Sequence, residues 1–149
     1  MDPLDAWRGN DAPDRQGITE TEHLTGYLAY WDELRQFIAQ WREISPNYCG
    51  DFYPLTPWSR DDKAWIAWQF DHPDPGAGVV QTFRRQDSFY ESARFKMRGL
   101  ESKARYEVSN RDTPATRHTA NGSELMELGL LVELPNQPAA AVITYRKIQ

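Results

Sequence analysis

The segment Lys63-Ala-Trp-Ile-Ala-Trp-Gln-Phe70 has the two-residue period of a β-strand. One face of the predicted strand carries four apolar residues: Ala64, Ile66, Trp68 and Phe70. The other face is mixed: Lys63, Trp65, Ala67 and Gln69. We expect the first face to lie in the core. Trp65, on the mixed face, is predicted either to be covered by another element or to be exposed to a partner.

Downstream of this strand the sequence alternates between turns and further short strands. His72-Pro-Asp-Pro-Gly-Ala-Gly78 is dense in turn formers, and Val79-Val-Gln-Thr-Phe-Arg84 predicts the return strand of a hairpin. A helical turn is predicted at 122–127, with Ser123 as its cap. Further strands are predicted at 93–97, 105–108, 130–134 and 139–148. Short strands with Gly, Pro and Asn between them are typical of an antiparallel β-sandwich, which we assign to residues 46–149.

Upstream, residues 19–45 predict one long amphipathic helix. Thr19 and Glu22 have the spacing of a capping box, and Ser45-Pro46 ends the pattern. Apolar residues recur every three or four positions: Leu24, Leu28, Trp31, Leu34, Ile38 and Trp41. A helix with Trp31 and Trp41 on its apolar face is expected to pack against a large partner, so both are candidate domain-interface residues, together with Trp65.

The N-terminal part of the chain is acidic. Residues 1–33 carry eight acidic and two basic residues, whereas the whole chain has 17 Lys+Arg against 22 Asp+Glu and a net charge of −5. The first 18 residues contain prolines and glycines but few apolar groups, and are predicted to form a poorly ordered acidic arm. An acidic balance of this kind argues against a nucleic-acid partner, which would need a surplus of basic residues.

Composition bounds the class of protein further. The 149 residues include 6 Trp, 7 Tyr and 6 Phe, enough apolar surface for a folded domain. No apolar run approaches the roughly 20 residues of a membrane span, and the first residues do not resemble a secretory signal. The only cysteine, Cys49, forms no internal disulfide and no metal site by itself. We therefore expect a cytoplasmic protein without a membrane partner.

The search for catalytic residues identifies none. Glycoside hydrolysis needs two carboxyl groups about 5–9.5 Å apart across a pocket. The candidates are all in predicted loops, where acids are usual turn formers: Asp51, Asp61, Asp62, Asp71 and Asp74. The three histidines are too scattered for a metal site, and no cofactor motif is present. The expectation is no catalytic residue, no metal and no cofactor.

Aromatic residues supply the candidate binding sites. Trp58 and Trp65 are weak candidates for stacking on a sugar ring, with Asp61 and Gln69 as hydrogen-bonding partners. Packing against another element is the more frequent role of such tryptophans. Five basic residues are predicted to form a solvated strand face: Arg84, Arg85, Arg94, Lys96 and Arg98.

Several segments resemble, in order, the C-terminal region of family 36 glycoside hydrolases, the α-galactosidase group. The resemblance extends over residues 38–149. Its segments are Gln40-Trp-Arg-Glu-Ile-Ser-Pro-Asn-Tyr-Cys-Gly-Asp-Phe-Tyr-Pro-Leu-Thr-Pro-Trp-Ser59, Ala67-Trp-Gln-Phe-Asp-His-Pro73, Gly78-Val-Val-Gln-Thr-Phe-Arg-Arg85, Glu91-Ser-Ala-Arg-Phe-Lys-Met-Arg-Gly-Leu100, Ala104-Arg-Tyr-Glu-Val108, Gly122-Ser-Glu-Leu-Met-Glu-Leu-Gly129 and Ala141-Val-Ile-Thr-Tyr-Arg-Lys147.

The resemblance implies a β-sandwich that packs on a (β/α)₈ barrel, with the catalytic aspartates at the ends of barrel strands. Tyr30-Trp-Asp32 lies within the helical pattern and does not match such a strand, so no catalytic residue is transferred to this chain. The leading hypothesis is a non-catalytic accessory domain whose partner is a catalytic barrel or a second copy of itself. The alternatives are a carbohydrate-binding module for galactosides and, third, a stand-alone glycosidase using loop acids.

Overall fold

The computed structural model describes residues 20–113 and 117–148, with side chains from residue 26 onward. The predicted acidic arm, residues 1–18, lies outside the described residues. The chain divides into two units, with the boundary between Ala39 and Gln40. No helix in the described ranges is both long enough and apolar enough to cross a membrane.

Helix α1 spans Glu20–Ile44 and continues into a 3-10 helix, Ser45–Cys49. The transition falls at Pro46, which has no backbone N–H to donate to the α-helical pattern. The last turn of α1 belongs to the second unit, where Ile44 is buried and the Tyr48 ring meets the Phe70 ring edge to face at a centroid distance of 4.8 Å. The sequence prediction placed the domain boundary later, after residue 45.

Within the described part of the second unit, eight strands form two antiparallel sheets. The strands are β1 (Asp51–Pro54), β2 (Ile66–His72), β3 (Ala77–Arg84), β4 (Ser92–Phe95), β5 (Arg105–Asn110), β6 (Arg117–Asn121), β7 (Leu130–Glu133) and β8 (Ala139–Lys147). The larger sheet has the order β1-β2-β3-β8-β5-β6, and the smaller sheet pairs β4 with β7. The predicted fold class, an antiparallel β-sandwich preceded by one long helix, is confirmed.

The short helix α2 (Gly122–Glu127) lies where a helical turn was predicted, but its cap differs. Asn121 is the N-cap residue, and no side chain caps the helix, so the predicted role of Ser123 is wrong. Backbone carbonyls of the segment before β5 accept the first N–H groups of α2 instead: Gly122 donates its N–H to the Ala104 carbonyl at 2.9 Å, and Ser123 donates to the Ser102 carbonyl at 3.0 Å.

The core lies between the two sheets and α2. Its largest members come from both sheets and from the loops: Trp65, Val80, Phe95, Met97, Tyr106, Val108, Leu125, Leu130, Val132, Ile143 and Tyr145. On β2 the buried residues are Ala67, Gln69 and Asp71, whereas Ile66, Trp68 and Phe70 are half-buried.

The predicted orientation of β2 is therefore wrong, because the face with Ile66, Trp68 and Phe70 turns away from the core. Phe83 packs against Trp68 with ring centroids 5.0 Å apart, and Phe52 packs against Phe70 at 5.2 Å. The more apolar face is thus the outer one, and the polar side chains of Gln69 and Asp71 are on the inner face, so the two-residue period identifies the strand without identifying its inner face.

Candidate functional site

Two residues expected to bind sugar, Trp65 and Gln69, are buried inside the sandwich. Trp65 is 9% exposed, packs on the Phe95 ring at a centroid distance of 5.9 Å, and donates its indole N–H to the Tyr90 carbonyl oxygen at 3.1 Å. Gln69 has no exposed surface. Neither side chain can stack on or hydrogen-bond to a sugar, and Trp65 cannot form a domain interface, so these assignments are corrected.

Gln69 instead begins a chain of buried polar groups. Its amide donates to the Arg98 carbonyl at 2.7 Å and to the Tyr145 hydroxyl at 2.8 Å, and its carbonyl oxygen accepts the Arg98 N–H at 2.9 Å. The Tyr145 hydroxyl donates in turn to Oδ1 of Asp71 at 2.5 Å. The chain connects β2, β8 and the loop after β4, and this explains why polar groups are tolerated here.

Asp71 is the carboxylic acid of this hydrogen-bonded series. It is 2% exposed, and among the described residues its Oδ2 atom has no hydrogen-bond partner. Burial raises the pKa of Asp71 above its usual value, the hydrogen bond from Tyr145 lowers it, and the nearby Asp51 raises it again. Burial and the carboxyl of Asp71 also raise the pKa of Tyr145, which keeps its hydroxyl protonated as a donor.

The raised pKa of Asp71 predicts a specific dependence of stability on pH. Between the usual value of 3.8 and the higher folded-state pKa, the folded chain binds more protons than the unfolded chain. The contribution of Asp71 to stability is therefore present at low pH and is lost as the pH rises through its folded-state pKa. We expect Asp71→Asn to remove this decline.

Urea unfolding at a series of pH values measures this effect as the difference in unfolding free energy between the original chain and the variant. Asp74→Asn, in the exposed β2–β3 turn, is the matched control and should leave the decline in place. A difference between the original chain and Asp71→Asn that does not change with pH would contradict the expectation.

Two loops at one end of the sandwich, residues 55–65 and 85–91, are held together by hydrogen bonds. The Arg85 guanidinium donates to the carbonyl oxygens of Ser59 at 2.9 Å and Arg60 at 3.3 Å, and pairs with the carboxylate of Asp62. Asp87 donates its N–H to the Asp62 carbonyl at 3.1 Å. Although they contain little regular secondary structure, the loops have a defined geometry.

Three aromatic side chains on these loops are largely exposed: Trp58 at 84%, Phe89 at 77% and Tyr90 at 74%. Arg60 lies over the Trp58 ring, with Cζ 5.8 Å from the ring centroid, and Lys63 lies over the Phe89 ring, with Nζ at 5.6 Å. Trp58 is the one predicted sugar-stacking residue that the structure leaves exposed.

Asp61, the other exposed sugar-binding candidate, organises its own loop. Its Oδ1 accepts the Lys63 N–H at 3.0 Å, and its N–H donates to the Ser59 hydroxyl at 3.0 Å. This is the turn-forming role that acids in loops usually have. Trp58 and Asp61 remain on one loop, whereas Trp65 and Gln69 lie in the interior, so the four candidates do not form one site.

Arg84 was predicted to lie on a solvated face but is 5% exposed. One terminal nitrogen donates to the carbonyls of Leu134 at 2.7 Å and Pro135 at 2.8 Å. The other donates to the Ser88 carbonyl at 3.0 Å and to Oε1 of Gln137 at 2.6 Å. Arg84 therefore joins the loop after β3 to the loop before β8. The burial of Arg84 could have been inferred from the alternation of β3, because Arg84 shares one face of that strand with Val80 and Thr82.

A cavity of about 450 Å³ adjoins these loops, bounded by Lys63, Arg84, Asp87, Ser88, Phe89 and Gln137. The Phe89 ring supplies an apolar wall, and Arg84 fixes Ser88 and Gln137 from beneath. Within the described part of the chain the Asp87 carboxylate has no ion-pair partner. The sequence did not indicate this site, because its residues come from three separate segments.

Helix α1 carries the other exposed apolar surface. Trp31 is 40% exposed and Trp41 is 58% exposed. Further large apolar side chains of the helix are also exposed: Tyr27, Leu28, Tyr30, Phe37 and Ile38. Such a concentration exceeds the scattered apolar residues of an ordinary surface.

The described residues provide no group of three or more His, Cys, Asp or Glu side chains placed to hold a metal ion. Of the acids predicted in loops, Asp51 and Asp71 lie on β1 and β2 instead, so that part of the prediction is wrong. Asp71 is hydrogen-bonded to Tyr145, Asp62 is paired with Arg85, and Asp61 is held in its own turn. The described residues form an antiparallel β-sandwich preceded by one long helix, and this defines the class of protein.

The family model for the glycosyl hydrolase family 36 C-terminal domain matches residues 65–145, more than half of the chain. This chain belongs to that family, and the resemblance seen in the sequence is confirmed. No curated protein matches it significantly.

Solved structures share the fold. The galactosidase domain of the alpha-galactosidase-sucrose kinase AgaSK matches with a TM-score of 0.62 at 14% identity. The GH36 alpha-galactosidase AgaA from Geobacillus stearothermophilus matches with 0.61 at 19%, and the alpha-galactosidase from Lactobacillus brevis with 0.59 at 19%. The alignments cover 88%, 89% and 91% of this chain but only 17%, 17% and 18% of the matched chains. The chain therefore spans less than a fifth of the length of the chains it matches.

Proposed function

We propose that this domain is a non-catalytic structural part of an α-galactosidase-like glycoside hydrolase, in which it covers apolar surface of the catalytic barrel. The parent chemistry is the hydrolysis of terminal α-galactosides in carbohydrate metabolism. The observation that carries the proposal is the exposed apolar surface of α1, including Trp31 and Trp41. The family membership and the small share of the matched chains that it covers support the same view. A cytoplasmic location is part of the proposal.

The proposal makes a prediction about association. Without a barrel, the exposed surface of α1 should drive the chain to self-associate, because burial of large aromatic side chains is favourable. We expect the double variant Trp31→Ala/Trp41→Ala to weaken self-association by about tenfold or more, since truncated interface tryptophans typically cost about 2 kcal/mol. Sedimentation-equilibrium ultracentrifugation over a range of concentrations measures the change.

Trp58→Ala is the matched control, because Trp58 is more exposed than either helix tryptophan but lies in a loop of the β domain. It should leave the association constant unchanged. A monomer at high concentration, without binding of an apolar dye, would count against the proposal.

Carbohydrate binding is the second candidate function, with galactosides as the ligand class suggested by the family. The observation in its favour is the exposure of Trp58 on a loop whose backbone is fixed by hydrogen bonds. On the same loop, Oδ1 of Asp61 accepts the Lys63 N–H, and its Oδ2 could accept a hydrogen bond from a ligand.

A further inference from the structure

The cavity beside Phe89 combines an apolar wall with polar groups of both signs. Phe89 is exposed over most of its ring, and Lys63 and Asp87 contribute one positive and one negative charge at the rim. Ser88 and the Gln137 amide are the uncharged polar groups of the lining. Its volume of about 450 Å³ lies within the range of small-molecule sites.

The lining of this cavity is held in place from inside the protein. The buried Arg84 guanidinium binds both the Ser88 carbonyl and the Gln137 side chain, so the two sides of the cavity are joined beneath its floor. The Trp65 indole N–H binds the carbonyl of Tyr90, the residue that follows Phe89. A site that is already ordered loses less conformational freedom when a ligand binds.

We propose that this cavity binds a neutral pyranose residue of an oligosaccharide, with the apolar ring face of the sugar against the part of the Phe89 ring that Lys63 leaves exposed and its hydroxyl groups toward Lys63, Asp87 and Gln137. The assignment rests on carbohydrate binding as the second candidate function and replaces Trp65 and Gln69 with a different set of residues. Trp58 and Tyr90, on the same pair of loops, extend the exposed aromatic surface beside the site.

The chemistry of the lining selects this ligand class. A polyanion would need a surplus of positive charge, whereas the accessible charges of Lys63 and Asp87 cancel and the terminal nitrogens of Arg84 already bind protein oxygens. A purely apolar ligand would strip water from the unpaired Asp87 carboxylate without replacing its hydrogen bonds. A sugar offers both an apolar ring face and hydroxyl groups that donate and accept.

The test is a titration of the full chain with melibiose and raffinose, followed by the indole N–H signals in ¹H–¹⁵N correlation spectra. We expect the Trp65 signal to shift with saturation at about millimolar ligand, because its hydrogen bond lies under the loop that carries Phe89. The Trp68 signal should not shift, since its indole binds Gln81 on the other face of the sheet at 2.7 Å. Sorbitol, which has hydroxyl groups but no ring face, is the ligand control.

Phe89→Ala should raise the dissociation constant about tenfold, through loss of the stacking wall. Phe52→Ala removes another exposed aromatic side chain on β1, away from the cavity, and should leave the constant unchanged. If sugars shift indole signals equally in the Phe89→Ala chain, this site is refuted while carbohydrate binding stands. If no indole signal moves, both are refuted. Neither result bears on the association of α1, which Trp31 and Trp41 test separately.

Discussion

Arg84→Met is expected to lower the free energy of unfolding by about 3–5 kcal/mol, because the variant leaves four hydrogen-bond acceptors without their charged donor. The side chain of Arg84 is almost fully buried, and its acceptors are three backbone carbonyls and the Gln137 side chain. Methionine is apolar and fills the space of the arginine stem up to about Nε, so the loss of stability combines the missing hydrogen bonds of the guanidinium with the space that it vacates. Urea unfolding followed by circular dichroism measures the change.

Arg94→Met is the matched control for this experiment. Arg94 is on β4 and donates one hydrogen bond, to the Gly129 carbonyl at 3.1 Å. Its replacement should cost less than about 1 kcal/mol. An Arg84→Met chain that is as stable as the Arg94→Met chain would show that the guanidinium does not join the two loops. Arg84→Met should also weaken sugar binding beside Phe89, because Ser88 and Gln137 lose the guanidinium to which both are hydrogen-bonded.

Gly78→Ala is expected to cost about 3 kcal/mol or more, since it forces atoms into a packed site and disturbs a buried hydrogen-bond chain. A Cβ atom at Gly78 would lie 2.2 Å from the Tyr145 hydroxyl oxygen and 2.4 Å from the Phe70 carbonyl oxygen. Tyr145 crosses over β3 at this glycine to reach Asp71 and Gln69. The alanine must therefore displace either the tyrosine or the backbone of β2.

The comparison variant is Gly26→Ala, because a Cβ at Gly26, within helix α1, would meet no atom within 4 Å. That substitution should leave stability unchanged or raise it, by up to about 1 kcal/mol, as alanine favours the helix. The pH series described for Asp71 gives a second measurement: if Gly78→Ala displaces Tyr145, the decline of stability with pH should change in size. Equal unfolding midpoints for Gly78→Ala and the original chain would contradict the close packing.

The elements with a strong local pattern could be predicted from the sequence. Helix α1 differs from its predicted range by one residue at each end, and β8, predicted at 139–148, is Ala139–Lys147. Both have long periodic runs bounded by turn or breaker residues. The edge strands β1 and β6 have no such pattern. β1 ends in Pro54, and β6 is the largely polar sequence Arg-His-Thr-Ala-Asn, so neither alternates clearly.

The candidate site was less predictable, for a physical reason. Trp65 precedes β2 on the side of its mixed face and Trp68 is on its apolar face, yet Trp65 is the more deeply buried, and the rings that pack on them are distant in sequence: Phe95 for Trp65 and Phe83 for Trp68. The burial of Arg84 depends likewise on carbonyls of residues 134 and 135. Local periodicity contains no information on such contacts, which appear once the two sheets are assembled.

The position of β8 has a consequence for the order of events during protein synthesis. This strand pairs with β3 on one side and β5 on the other, so it joins the β1-β2-β3 meander to the β5-β6 hairpin. Until residues 139–147 have left the ribosome, these two pieces have no shared hydrogen bonds and the central sheet has a gap. During synthesis, the edges of β3 and β5 that later pair with β8 are therefore unpaired and open to other chains. Pairing of β8 with both strands then joins the two pieces into one sheet.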